Sequence, residues 1–426
     1  MNYCAIDFGT SNSALAYPSG DGMKLAELEP GFTSAPTAVF YSADHLHEPD
    51  AGRSYGRAAI AAYVDGIDGR LMRSIKSILG SDLMDESTEV ASGYSVKYID
   101  VVTSYLRRLR KVAQKQTGLK FDRAVIGRPV FFVDGNAKRD AQAQATLASA
   151  ARAAGFKEVA FQFEPIAAAL DYESQIDAER LVLVADIGGG TSDFSIVRVG
   201  PARRARLDRK ADVLANHGVH IAGTDFDRSV SLAAIMPLLG YGSAAPDGRL
   251  VPSSIYFELA TWHLINTIHK PAKVTELRQM RTMYVDGVAH ARLMQVLNRR
   301  LGHLLAAKAE QAKIDVSNTA QAAIDLSAIE PALAAGFDEP RQARSLEADV
   351  SRIVAAAERT AQLAGLKTAQ IDAVYFTGGS TGLTSLAQRI ASRFENAERV
   401  HGDHFASVVS GLGIHARRRF GLDATT

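Results

Sequence analysis

The sequence predicts an α/β protein of two lobes, each a mixed sheet flanked by helices. Three observations predict it. Two segments repeat one pattern of apolar strand, Asp, Gly turn and second strand; their acids, Asp7 and Asp186, stand 179 positions apart. Strand-like runs alternate with helical ones along most of the chain, as expected of sheets covered by helices. The length, 426 residues, suits two or three domains.

Taken in order, YCAIDFG, SALAY and PTAVFY within residues 1–17 and 36–41 read as strands. DAGRSYGRAAIAAYVDG reads as a turn entering a helix, and LMRSIKSILG as a short amphipathic piece. Over 98–117, Ile99, Val102, Leu106, Leu109 and Val112 recur at helical spacing. RAVIGRPV is a strand ending at Pro129, and 138–154 an Ala-rich helix closed by Gly155. EVAFQF is a strand. EPIAAALDYES is a helix with Pro165 in its first turn, where a missing N–H leaves no helical bond unmade.

The pattern restarts near Arg180. Residues 200–215 are basic and irregular; GTDFDRSVSLAAIMPLL reads as helix. The stretch 240–345 is the least regular. It holds an apolar helix around Trp262, a long helical run in NRRLGHLLAAKAEQAKIDV, a strand AAIDL and a turn-rich AAGFDEPRQA. An amphipathic helix over 346–365 precedes the strand AVYFT, the turn GGSTG and the helix LTSLAQRIASRF, with a last helix in HGDHFASVVSGLGIHARR. The predicted division is a first lobe over 1–177 with an insertion near 42–97. A second lobe follows over 178–402 with an insertion near 228–345, and a helix over 403–426 returns to the first lobe.

Hydrophobic residues make up 47% and the net charge is +1, so nothing draws the whole chain to nucleic acid or membrane. The clusters Arg203-Arg204, Arg206, Arg209-Lys210 and Arg417-Arg418-Arg419 are expected to be solvated surface. The one cysteine, Cys4, forbids an internal disulfide or a cysteine zinc site and is expected in the core. Neither a targeting segment nor an apolar run of membrane length is evident, which points to the cytoplasm. No H-E-x-x-H spacing occurs; Asp403-His404, His217 and His220 read as surface or capping residues.

The paired hairpins carry the chemistry. Glycine lets backbone N–H groups crowd a phosphate, and the hydroxyls of Thr10, Ser11 and Thr191 add donors. Asp7 and Asp186 would repel phosphate, so they make sense as holders of a divalent cation, directly or through its waters. No P-loop is present, so the phosphates must sit between two hairpins rather than on one helix N-terminus. Gly378-Gly379-Ser380-Thr381-Gly382 has two readings. One is a nucleophile elbow on Ser380, with Asp403 and His404 or His415 following in order. It leaves only 44 residues for the rest of a hydrolase sheet and the two hairpins unexplained. The other is a turn that lets a base or ribose sit against backbone. Gly411-Leu412-Gly413-Ile414-His415-Ala416 matches a dinucleotide fingerprint but lacks the strand before it, and reads as helix packing.

These segments together resemble the nucleotide-binding domain of the seventy-kilodalton heat-shock chaperones of the DnaK type, within the actin and hexokinase superfamily. AIDFGTSNSALA resembles the first phosphate hairpin of that family, and LVLVADIGGGTSDFSIV the second. PTAVFY, LMRSIKSILG, FEPIAAALDY, HIAGTDFD, AEQAKIDVS and FTGGSTGLTSLAQ resemble its further segments. The resemblance runs from residue 3 to about 413, with a poor stretch at 228–300 and an insertion near 318–345.

The resemblance implies an actin-like ATPase fold with ATP or ADP and Mg2+ in the cleft, and K+ as an optional further ion. It implies catalytic roles for Lys76, Glu164, Thr191 and Asp193, and metal holding by Asp7 and Asp186. Phosphate and nucleoside contacts would come from Gly9, Thr10, Ser11, Asn12, Gly188, Gly189, Gly190, Thr191 and Gly223, then Glu310, Lys313, Ser317, Gly378, Gly379 and Ser380. Three departures stand out. Thr224 replaces a family Glu. Gly382 and Ile314 replace two arginines that stack on adenine, which implies weaker or less selective base binding. The chain stops where the family continues into a linker and a peptide-binding β-domain, as in truncated YegD-like relatives. The implied function is a slow ATPase switch that acts on a co-chaperone or client, without the usual peptide groove. A small-molecule kinase and an actin-like filament protein are the alternatives.

Overall fold

A computed structural model describes residues 2–20, 22–45, 52–91, 93–268, 271–402 and 406–421. Two mixed sheets share one topology. In the first, the order is Glu158–Phe163, Arg123–Arg128, Tyr3–Phe8, Asn12–Ser19, Gly22–Leu25, with Ser34–Pro36 also beside Asn12–Ser19. In the second it is Glu398–His401, Ala373–Thr377, Arg180–Ile187, Ser192–Val199, Val213–Val219. In both, the first strand forms an antiparallel hairpin on one side and pairs in parallel with a later strand on the other. The chain therefore repeats one sheet plan twice, which is the mixed α/β architecture of an actin-like ATPase.

The central strands are buried on both faces, so they read as continuous apolar runs rather than alternating ones. Val182, Leu183, Val184 and Ala185 are all buried. Helix Tyr98–Thr117 buries Val102, Leu106 and Leu109 against the first sheet and stops at Gly118, whose φ of +69° suits a residue without Cβ. Helix Glu339–Leu363 starts on Asp338, whose carboxylate accepts from the Arg341 N–H, and packs under the second sheet.

The helices Glu164–Gln175 and Ser407–Phe420 share one apolar core with both sheets. Gly411 makes that crossing possible: a Cβ there would collide with the backbone carbonyl of Ala167. The 411–416 motif is thus helix packing. Cys4 is a free, buried core residue. Among the described residues, no helix is long and apolar enough to cross a membrane.

Several elements differ from the sequence reading. LMRSIKSILG divides into a strand, Gly69–Arg73, and a 3-10 turn, Ile75–Ile78. The turn-rich AAGFDEPRQA is strand Ala334–Asp338, paired with Gln321–Asp325, running into the long helix. Hairpin Ser87–Ala91/Tyr94–Lys97 and edge strand Glu398–His401 were not foreseen. The basic stretch near 205 is not all solvated: the Arg209 side chain is 1% exposed, bonded to Asp212 and, at 2.8 Å, to Glu173. A buried guanidinium needs such partners, and here two carboxylates supply them. Asp403 and His404 lie outside the described residues.

Candidate active site

Each hairpin carries an acid one residue before the end of its first strand. Asp7 faces Ala14 across the first hairpin, while Asp186 faces Asp193 across the second. The repeat is therefore unequal, and only the second hairpin brings an extra carboxylate. Two residues from elsewhere complete the cluster. Lys76 lies in the short turn after Gly69–Arg73, which Ser74 enters at a left-handed φ of +55°. Glu164 is the first residue of its helix, where the helix dipole favours a negative charge. Lys76 Nζ stands 2.5 Å from Glu164 Oε1, and the lysine is 8% exposed.

Four carboxylates thus converge on one ammonium. Burial raises the Asp7 carboxyl to about 7, with Glu164 adding and Lys76 opposing. Burial raises Asp186 to about 8, helped by Asp193, Glu164 and Asp7. Asp193 opens onto the cleft yet is walled by protein; that burial raises it, against a hydrogen bond from Thr191. Burial alone would lower Lys76, but Glu164, Asp7 and Asp186 more than reverse this. The cluster carries a surplus of negative charge that one divalent cation would offset in large part. Among the described residues no three acids or imidazoles converge closely enough to cage a bare ion. Such a donor set suits a cation that keeps most of its waters, and Asp7 and Asp186 are the residues that could hold one.

The hairpin tips meet above these acids. A Cβ on Gly189 would stand 2.9 Å from Ser11 Oγ, whereas one on Gly190 would meet open space. Gly9 also needs its hydrogen, since a Cβ would collide with the Asn12 carbonyl. Thr10 is half-buried and Asn12 is exposed. The second tip is pinned from behind. The Gly223 N–H donates to Gly188 O at 3.2 Å, the Thr224 N–H to Gly189 O at 2.8 Å, and the Ser380 hydroxyl to Gly188 O at 2.7 Å. Ser380 thus spends its hydroxyl on a carbonyl rather than an imidazole, which removes the nucleophile-elbow reading. Gly378 takes φ +87° beside Asp186, and Gly379 opens the exposed turn that follows.

Glu310, Lys313 and Ser317 share the helix Gly302–Thr319. Glu310 is exposed. Lys313 Nζ pairs at 2.6 Å with Asp227 of helix Gly223–Ala234, and the Ser317 hydroxyl donates back to the Lys313 carbonyl.

Three further residues shape the site and escaped the sequence reading. A Cβ on Gly218 would stand 2.5 Å from Asp193 Oδ1, and one on Gly127 would stand 3.2 Å from Glu164 Cγ. A glycine inside a strand is the signal that marks such close approaches. Asn216 donates to Ser195 Oγ at 2.9 Å in a cavity that runs behind Glu164, Asp186 and Asp193.

The chain matches the family model described as Hsp70 protein over residues 3–234. That span includes both hairpins, Lys76, the acids and Gly223.

Proposed function

Because the chain belongs to the Hsp70 family, a family of chaperone-type ATPases, we propose that it is a slow, Mg2+-dependent ATP hydrolase whose nucleotide state gates a partner protein. The observation that carries this reading is the Lys76–Glu164 contact among Asp7, Asp186 and Asp193, directly below two facing Gly-rich tips.

ATP lies with its phosphates between the tips. Backbone N–H groups of Thr10, Ser11, Gly189 and Gly190 and the Thr191 hydroxyl donate to phosphate oxygens. Asp7 and Asp186 would hold the waters of a bound Mg2+, which would supply positive charge beside the transferring group. Lys76 meets the γ-phosphate and orients the attacking water, and Glu164 fixes its ammonium. Water forms a bond to the γ-phosphorus as the bond to the β–γ bridging oxygen breaks; its proton passes to Asp193 or Glu164, and ADP leaves. Lys76 is a cation that acts on all three of Asp7, Asp186 and Asp193, which suits it to meet transition-state charge. The crossing at Gly411 serves as a pivot, so the lobes present different surfaces to a co-chaperone or client in the ATP and ADP states. The single buried thiol suits a reducing cytoplasm.

Phosphate release by purified protein, with Mg2+ or with EDTA and over a panel of metabolites, tests the reading. Mg2+-dependent release to water supports it. Stoichiometric phosphorylation of a metabolite, or no release at all, rejects it.

A further inference from the structure

The chain has one tryptophan, Trp262, which lies within the insertion near 228–345 and faces Tyr63 of the insertion near 42–97. Trp262 lies 5.2 Å from the Tyr63 ring of helix Gly56–Val64 and 5.2 Å from the His303 ring of helix Gly302–Thr319. Tyr63 and His303 meet edge to face at 5.2 Å. The Arg73 guanidinium stacks on Trp262 at 4.3 Å. Tyr63 and Arg73 come from the first lobe; Trp262 and His303 come from the second.

Each side of this contact is short-wired to the active site. On one side, Arg73 ends its strand, Ser74 turns left-handed, and Lys76 follows three residues after Arg73. A shift of Arg73 therefore drags the lysine. On the other side, His303 and Glu310 are two turns apart on one helix, about 10 Å along its axis, so they move as one body. Burial lowers the Arg73 guanidinium, and Glu310 is the charge that most favours keeping it ionised.

We propose that Trp262 is a cross-cleft dock for Arg73, and that Arg73 is a positioning residue that sets Lys76 on the γ-phosphate when the lobes close. The proposal rests on the ATPase reading for its catalytic half only. An open cleft leaves Arg73 without its platform and Lys76 off station, so hydrolysis waits for closure. The same ring contacts must part for nucleotide to leave, which ties release to the same joint. Cation–π stacking and ring pairs across the joint set the scale at about tenfold in rate.

The test uses the full chain and its own tryptophan. ADP–Mg2+ added to the parent protein should change Trp262 emission. Arg73→Ala should abolish that change, lower single-turnover hydrolysis about tenfold and speed ADP release about tenfold. Trp262→Phe keeps a ring and should restore most of the hydrolysis; Trp262→Leu should not. Lys76→Ala should lose hydrolysis yet keep the emission change, which separates the joint from the chemistry. Bound ADP, measured by calorimetry, with unchanged emission in the parent protein would overturn the dock whether or not ATP is hydrolysed. So would an Arg73→Ala protein that hydrolyses and releases nucleotide at parent rates.

Discussion

Gly218→Ala is a one-carbon perturbation aimed at Asp193 from behind. The new Cβ would stand 2.5 Å from Asp193 Oδ1 and 3.3 Å from the Ser192 carbonyl oxygen. Ordinary contact begins near 3.4 Å, so the carboxylate must retreat by about 0.9 Å. It has room to do so, because Asp193 opens onto the cleft. The fold should therefore absorb the change at a cost of about 1 kcal/mol, the low end for overpacking. Catalysis should not absorb it. Misplacing a reacting group by about 1 Å costs on the order of a hundredfold in rate. Single-turnover ATP hydrolysis is the assay, with ADP affinity by calorimetry as the control. We expect a loss of about tenfold to a hundredfold with affinity unchanged within a few-fold. Hydrolysis at the parent rate would show that Asp193 neither orders the water nor takes its proton. Loss of ADP binding would show instead that strand Val213–Val219 supports the nucleotide site as a whole.

Two further outcomes follow from the same geometry. Gly411→Ala should lower the melting temperature, because its Cβ collides with the Ala167 carbonyl and neither helix backbone can yield; about 2–3 kcal/mol is expected, and an unchanged melting temperature would refute the crossing. Nucleotide-free protein should lose stability progressively as pH rises from 3.8 to about 7 or 8, and level off above that. Asp7 and Asp186 are raised to about 7 and about 8 from an ordinary 3.8, so the folded state holds protons that the unfolded state has shed. Thermal unfolding at acidic and alkaline pH reads this directly, and a melting temperature that climbs with pH contradicts the charge surplus.

Much of this arrangement was legible because its signals are local. Each hairpin announces itself within a dozen residues, with β-branched runs that suit central strands and glycines that suit a phosphate. Helix Tyr98–Thr117 carries its burial in its own spacing and its stop in Gly118. The 411–416 motif could be dismissed as a nucleotide fingerprint for want of a preceding strand. What was not legible depends on distant partners. Arg209 looks like surface until Glu173, 36 positions earlier, and Asp212 enclose it. Strand Glu398–His401 has a single half-buried residue and no apolar run; only its pairing with Ala373–Thr377 makes it a strand. Gly218 acquires meaning only when Asp193 packs on its vacant face. Trp262 reads as part of an apolar helix, but it lies in the turn between helices Ser254–Ala260 and Ile265–Ile268, and only folding places it under Arg73.

The proposed hydrolysis, and with it the proposed gating of a partner, rests on one claim, that Lys76 acts on the γ-phosphate of bound ATP. Single-turnover hydrolysis of ATP by the parent protein and by Lys76→Ala, each with Mg2+ and with EDTA, tests it most directly. The predicted result is hydrolysis only by the parent with Mg2+, a drop of about a hundredfold or more in Lys76→Ala, and ATP still bound by that variant. Hydrolysis by Lys76→Ala within a few-fold of the parent rate, or equal rates with and without Mg2+, would contradict the account.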